Sequence, residues 1–538
     1  MQSKPRVLTL ISLIFFLGSV CHGAAITGTV KGPDSAPFQG AFIEAQNVTT
    51  RITVMVLSDK AGWYRFEDLP GGGYNLRIRA IGYRSDPREG VTLTANQKTS
   101  VDWVLQNGTV RWSDLSFYQG DNLLPDGKGK QLLEQHCLEC HSFQTKMAVV
   151  QRDESGWTQA VRFMREAMHY RLPSVTDDDA GVIASYLNSV FGPDSNLPRD
   201  VSGMPAYKKL VHPPFAAEAM KIVYVTYELP GPNRMPFSAA PDKNGNVWLP
   251  YFSLADAIGR LNPKTGEVQE FRVPFNGTAG IHSAVAASDG TVWLAEQGSN
   301  RVGKWDPQTR EIVEYQDPYL PGKEGLQAGG SKHTIRIDPQ GNVWSTGVPL
   351  TEFNPKTGKF THFPDVPFSY GIALSRDGTP WFAEFNPNGK IGKVDSKTGK
   401  VTKYTVPTPN AWPRRIQVDA DGIVWFTEFE GGGKITRFDP KTETFKEFSL
   451  PGSSPSPYAF DLDNDGRLWY SNMHEDVVGC LDPKTGHVTE YPFPFSENTM
   501  REFFHDSQGR IWWGSPSNNK VGYFYLTGNG GGAESASR

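Results

Sequence analysis

Hydrophobic and polar positions alternate with a period of two through most of this chain, in short runs separated by glycine, proline, asparagine and aspartate. Ile26-Thr-Gly-Thr-Val30, Tyr74-Asn-Leu-Arg-Ile-Arg79 and Val101-Asp-Trp-Val-Leu105 show the pattern near the N-terminal end, and half-buried β-strands are what that period predicts. One interval breaks it. Apolar residues there recur at helical spacing, at Leu132 and Leu133 and then at Trp157, Ala160, Val161, Met164 and Met168. Thr176 stands three residues before Asp179, as in a capping box, and Val182, Ile183, Tyr186, Leu187 and Val190 predict the buried stripe of the helix that follows. The pattern predicts a β-sandwich over 25–106, a polar linker over 107–127, a helical unit over 128–192 and a proline-rich linker over 193–221.

From Ile222 onward a unit repeats whose mark is a turn followed by tryptophan: Gly245-Asn-Val-Trp248, Gly290-Thr-Val-Trp293, Gly341-Asn-Val-Trp344, Gly378-Thr-Pro-Trp381, Gly422-Ile-Val-Trp425, Gly466-Arg-Leu-Trp469 and Gly509-Arg-Ile-Trp512. The tryptophans are 45, 51, 37, 44, 44 and 43 residues apart, the length of a four-stranded propeller blade. A seven-bladed β-propeller over 222–526 follows, with a tail over 527–538. The seventh unit lacks an outer strand, and Val223-Tyr-Val-Thr-Tyr-Glu-Leu-Pro230 has the missing pattern, so the N-terminal strand is expected to complete the last blade and hide two open sheet edges. The fold class is therefore mainly β, a propeller with a small sandwich and a helical domain. A content of 55 Gly, 40 Pro and 14 Trp agrees with short strands and many turns.

A formal charge of −4 offers no basic face for nucleic acid. Lys4 and Arg6 precede the apolar run from Val7 to Leu17, and small residues follow, which reads as an export signal over 1–24. A signal anchor is the alternative, but the run is shorter than the ~20 residues a span needs. Gly18-Ser19-Val20 before Cys21 makes a poor lipobox. The expected location is periplasmic or secreted, with no membrane span in the mature chain.

The strongest chemical motif is Cys137-Leu138-Glu139-Cys140-His141. In C-x-x-C-H two thiols add to the vinyl groups of a haem and the adjacent imidazole reaches the iron. A thioredoxin-like pair or half a zinc site are the rivals, but no thioredoxin-like strand pattern surrounds the motif and no second cysteine pair exists. Met164, Met168, His169 and Met204 all follow it as candidates for the second axial position. The stretch from Gly127 to Ser142 and the later Tyr186-Leu187 resemble the ends of a class I cytochrome c domain. Met164, seven residues after Trp157 and ahead of a helix ending in Tyr186-Leu187, stands as in the cytochrome domains of quinohaemoprotein-type enzymes, so the resemblance favours it as the ligand. Covalent haem c and a redox partner protein are the cofactor and partner expected. Cys480, on a repeat strand, reads as a buried thiol.

Two further resemblances rest on quoted residues. Ser58-Asp-Lys-Ala-Gly62-Trp-Tyr-Arg-Phe66 with Leu69-Pro-Gly-Gly-Gly-Tyr74 resembles the carboxypeptidase regulatory-like domain, which implies folding, adhesion or carbohydrate contact rather than catalysis. The repeat, as in Asp421-Gly-Ile-Val-Trp-Phe-Thr-Glu428, resembles the streptogramin (virginiamycin B) lyases. That resemblance implies opening of a cyclic depsipeptide by elimination, with a histidine base and a bound magnesium ion.

Eleven residues before each repeat tryptophan lie Phe237, His282, His333, Tyr370, Arg414, Tyr458 and Arg501, which are expected to line one mouth of the channel. Three residues after each lie Tyr251, Glu296, Gly347, Glu384, Glu428, Asn472 and Ser515. His282 with Glu296 best matches the lyase arrangement, with His333 a second candidate, and a divalent metal such as magnesium could sit there. The arginines Arg414, Arg415 and Arg501 favour an anionic small-molecule ligand instead. Asp461-x-Asp463-x-Asp465-Gly466 imitates a calcium loop, but a turn occupies that place in every blade. Three functions are thus in view: electron transfer coupled to ligand binding, a lyase, and a non-catalytic binding protein.

Overall fold

The computed structural model describes residues 23–138, 142–167, 175–319, 332–366 and 368–528. The chain is mainly β, as its period-two pattern requires. The expected signal segment lies outside the described residues up to residue 22.

Seven four-stranded antiparallel sheets follow Ile222. Their innermost strands, from Ala240–Pro241 through Ile281–Ala286, Lys332–Ile337, Ser369–Leu374, Pro413–Val418 and Pro457–Leu462 to Phe503–His505, each pack beside the next, and the last packs beside the first. The sheets therefore close a ring, numbered here as blades one to seven. All seven repeat tryptophans are buried between blades. In five blades the aspartate six residues earlier fixes the ring: Asp242, Asp338, Asp419, Asp463 and Asp506 each accept the indole N–H, at 2.7 to 3.1 Å. The other carboxylate oxygen accepts backbone N–H groups of the glycine turn. This is what the imitation calcium loop does: Asp463 caps a turn and holds Trp469.

Blade seven closes as expected. Ile222–Tyr227 pairs antiparallel with Lys520–Leu526, from Ile222 opposite Leu526 to Tyr227 opposite Val521. The same strand also pairs on its other side with Thr53–Leu57 of the sandwich, so one eight-stranded sheet runs from the propeller into the N-terminal domain. That is why all six of its residues are buried, whereas the outer strand of blade one, Val268–Arg272, alternates with solvent. The sandwich packs this sheet against Trp63–Leu69, Ala24–Lys31 and Lys98–Ser100 around Ile26, Ile43, Tyr64, Leu76 and Trp103.

The helical unit is larger than its spacing predicted. The helices Lys128–His136, Glu154–Ala167 and Asp177–Phe191 form where expected, and Thr176 and Asp179 make the reciprocal capping box. Ile183, Leu187 and Val190 are buried, with Val182 and Tyr186 at the margins. The stretches 107–127 and 193–221 are not plain linkers. Val110, Trp112, Leu115, Leu123, Leu124, Val201 and Tyr207 complete the apolar cluster around Leu133, Trp157 and Leu187, because three short helices alone bury too little surface to stand by themselves. Ser116 caps a further helix, Phe117–Leu123. The first and last of these three helices, Lys128–His136 and Asp177–Phe191, touch at Gly129, where a Cβ atom would lie 2.3 Å from Tyr186 Cβ. No helix among the described residues is long and apolar enough to cross a membrane.

Candidate functional site

The innermost strands carry bulges at Ile281/Ser283, Lys332/Ile335, Ser369/Ile372, Pro413/Ile416 and Pro457/Phe460. A bulge interrupts the two-residue alternation, so two successive residues of one strand can face the axis. The first of each pair is the residue expected there, and the seven form a buried, continuous ring. Phe237 meets His282 with centroids 5.0 Å apart, His282 stacks on His333 at 3.5 Å, and His333 lies 4.0 Å from Tyr370. The Tyr370 and Tyr458 hydroxyls share a hydrogen bond. The Arg414 guanidinium sits 3.6 Å from the Tyr458 ring and 4.6 Å from Tyr370, and Arg501 bridges Tyr458 at 4.7 Å and Phe237 at 5.5 Å. Burial pushes the Tyr458 phenol up, yet Arg414, Arg501 and Arg415 together pull it below its ordinary value.

The residues that follow the seven ring members are Ser238, Ser283, Thr334, Gly371, Arg415, Ala459 and Glu502, and four of them, Ser283, Thr334, Arg415 and Glu502, meet in another layer. Bonds across the channel define it. Arg415 Nη1 donates to Thr334 Oγ1 at 2.8 Å and lies 3.6 Å from Glu502 Oε1, Ser283 Oγ donates to Glu502 Oε2 at 3.1 Å, and Arg336 Nη1 reaches Glu502 Oε1 at 2.9 Å. The strand period alone does not point to Thr334, since a bulge is needed to bring it to the axis beside His333, and Glu502 lies just ahead of the short innermost strand Phe503–His505 of blade seven.

The glutamates do not join the histidines. Glu296 accepts from Ser299 Oγ at 2.7 Å and leans over the third strand of its blade, where a Cβ on Gly303 would lie 2.7 Å from its Oε1. Burial and the neighbouring Glu314 push its carboxyl up to about 8. Glu384 pairs with Lys403 at 2.7 Å and Glu428 accepts from Thr436 at 2.6 Å, both within their own blades. The structure thus brings His282 and His333 together and turns Glu296 away from them. No group of three His, Cys, Asp or Glu among the described residues is placed to hold a metal.

The helical unit sits on the rim of this mouth. Glu497, on the loop between the outer strand of blade six and Arg501, accepts from Ser142 N at 2.6 Å, Thr145 N at 2.8 Å and Thr145 Oγ1 at 2.6 Å. Tyr118 N donates to the His474 carbonyl at 2.8 Å, and Phe117 lies 4.8 Å from the His474 ring, which burial pushes down to about 4. Ser496 Oγ donates to the Ser113 carbonyl at 2.6 Å. Cys137 ends the helix Lys128–His136 and is half-buried beside the apolar cluster, and Met164 is half-buried on Glu154–Ala167. Met204 borders the same cluster. Cys140, His141, Met168 and His169 lie outside the described residues. Cys480 is buried, and burial raises its thiol well above the ordinary value.

Seven blades around a plugged axis, with the turn-and-tryptophan repeat, can be compared with known proteins. Residues 357–531 match the Virginiamycin B lyase family. Residues 25–106 match the Carboxypeptidase regulatory-like domain. Among solved structures, the virginiamycin B lyase from Staphylococcus aureus is 24% identical, covering 56% of this chain and 98% of that one, with a TM-score of 0.50. A streptogramin B lyase is also 24% identical, covering 58% of this chain and all of that one, with a TM-score of 0.51. These likenesses show a virginiamycin B lyase-like propeller fold. No curated protein matches the chain.

Proposed function

We propose that this chain is an exported c-type haemoprotein whose helical unit exchanges electrons beside a ligand-binding propeller. The observation that carries the reading is the clamp on Glu497. Ser142 directly follows the C-x-x-C-H motif, and its N–H is tied to a loop that reaches the axial ring four residues later, at Arg501. That tie would hold the attachment segment over the channel mouth rather than leave it on a tether.

The residues suit a covalent haem. Two thiols and an imidazole in this order are the donor set of c-type attachment, and Cys137 borders an apolar cluster that would exclude water from one edge of a macrocycle. The Gly129 contact with Tyr186 supports the cytochrome c-like reading, because it lets the first and last helices cross at close range. Cys137 and Cys140 would carry the thioether links, and His141 and Met164 would hold the iron. Haem bound in this way would supply one-electron exchange, and ligation by histidine and a thioether would raise its potential. A small redox protein would then be the electron partner, and a small or anionic molecule the occupant of the channel.

Mass spectrometry of the mature chain and a reduced-minus-oxidised absorption spectrum test the reading. The expected result is one added porphyrin mass that disappears when Cys137→Ala and Cys140→Ala are combined, with sharp reduced bands in the wild type. A mature chain of unmodified mass, produced in a host that attaches c-type haem to a control protein, would overturn it.

A further inference from the structure

The layer beneath the axial ring differs from the ring in size. The ring is built of seven large side chains, whereas of the residues that follow them Ser238, Ser283, Thr334, Gly371 and Ala459 are small, and the long side chains that reach across are Arg415, Glu502 and Arg336. Arg415 is 3% exposed. Its Nη1 is engaged by Thr334 and Glu502, but Nε and Nη2 have no hydrogen-bond partner. Buried guanidinium N–H groups are costly to leave unmade. The Nε–Nη2 edge is, moreover, the fork whose two parallel donors match the two oxygens of a carboxylate.

The geometry points to an anion site in this layer, in which the Nε–Nη2 edge of Arg415 holds the carboxylate of a small organic acid. Glu502 limits the site rather than filling it, since it approaches Arg415 from the Nη1 side and is also held by Arg336 and Ser283. The inference rests on the channel being the place where the propeller takes its ligand, and it is independent of the haem.

Isothermal calorimetry on the full mature chain at constant ionic strength tests it, with acetate as the probe and acetamide and chloride as controls. Acetate is expected to bind with one-to-one stoichiometry and at least about tenfold more tightly than acetamide, which lacks the second oxygen and the charge. Arg415→Lys keeps the charge and loses the fork, so acetate should weaken by about tenfold or more. Glu502→Gln removes the competing carboxylate and should tighten acetate several-fold, which keeps the test open if the lysine variant does not fold. Acetate that fails to bind the wild type, or is matched by acetamide or chloride, overturns the inference, as does an affinity unchanged in a folded Arg415→Lys. Water alone would then satisfy the guanidinium edge. The haem reading stands or falls separately, on the porphyrin mass.

Discussion

Glu497 joins the helical unit to the propeller, so Glu497→Ala asks how firmly they are joined. The carboxylate is 1% exposed and accepts three hydrogen bonds, from Ser142 N, Thr145 N and Thr145 Oγ1. Hydrogen bonds to a charged group each contribute about 1.5–3 kcal/mol. The three are not additive, and the freed donors regain water once the segment lifts. The net cost to the closed state is therefore put at about 3 kcal/mol, or about a hundredfold in the opening equilibrium of the 142–147 segment. The loss should be local, because the Tyr118–His474 and Ser496–Ser113 bonds hold the rest of the unit in place. Amide hydrogen exchange reads it directly: Ser142 and Thr145 should lose about two orders of magnitude of protection while the propeller amides keep theirs. Glu497→Gln, with one acceptor left and no charge, should fall between. Protection of both amides within about threefold of wild type in Glu497→Ala would refute the reasoning, since three charge-assisted bonds cannot be worth so little.

Further perturbations probe other links. Val225 is paired with Tyr523 on one side and Val54 on the other, so Val225→Pro places a residue without an N–H inside a sheet where proline is tolerated only at edges; calorimetric unfolding should separate sandwich from propeller, and an unaltered single transition would refute the continuous-sheet account. Glu296 has a folded-state carboxyl raised from 4.5 to about 8, so the folded state holds a proton that the unfolded chain has released, and its contribution to stability is lost as pH rises from about 4.5 to 8. Glu296→Gln should therefore nearly match wild type at pH 5 and exceed it by about 4 kcal/mol at pH 8.5 in urea titrations, and parallel pH profiles would count against it. Trp425→Phe deletes the indole bond to Asp419 and should cost about 1 kcal/mol more than Trp293→Phe, whose blade has Ala287 in the aspartate's place; equal denaturation midpoints for the two variants would contradict that.

What could be read from the sequence divides along a physical line. Turn chemistry and strand period act over a few residues, so blade number, ring closure and the capping box at Thr176 were legible. The axial ring was legible too, because a fixed offset from each tryptophan selects the same point on each innermost strand. The offset failed for Glu296. It lies on the second strand, whose side chains project to the flanks of the blade, so equal spacing brought Glu296 over Gly303 instead of to His282. Arg415 was named beside Arg414 and Arg501, but its partner Thr334 was hidden for a different reason: a bulge turns two neighbouring residues to one side, and strict alternation puts them on opposite sides. The junction of sandwich and propeller did leave a trace in the sequence. Other outer strands carry charge, as in Val268-Gln-Glu-Phe-Arg272 and Val401-Thr-Lys-Tyr-Thr405, whereas Ile222-Val-Tyr-Val-Thr-Tyr227 carries none. A strand that must be buried on both faces cannot keep an unpaired charge. The missing charges thus mark a strand covered on both faces, with Ile222 and Tyr224 in one apolar cluster and Val223, Val225 and Tyr227 in others, and part of that cover comes from the sandwich outside the ring.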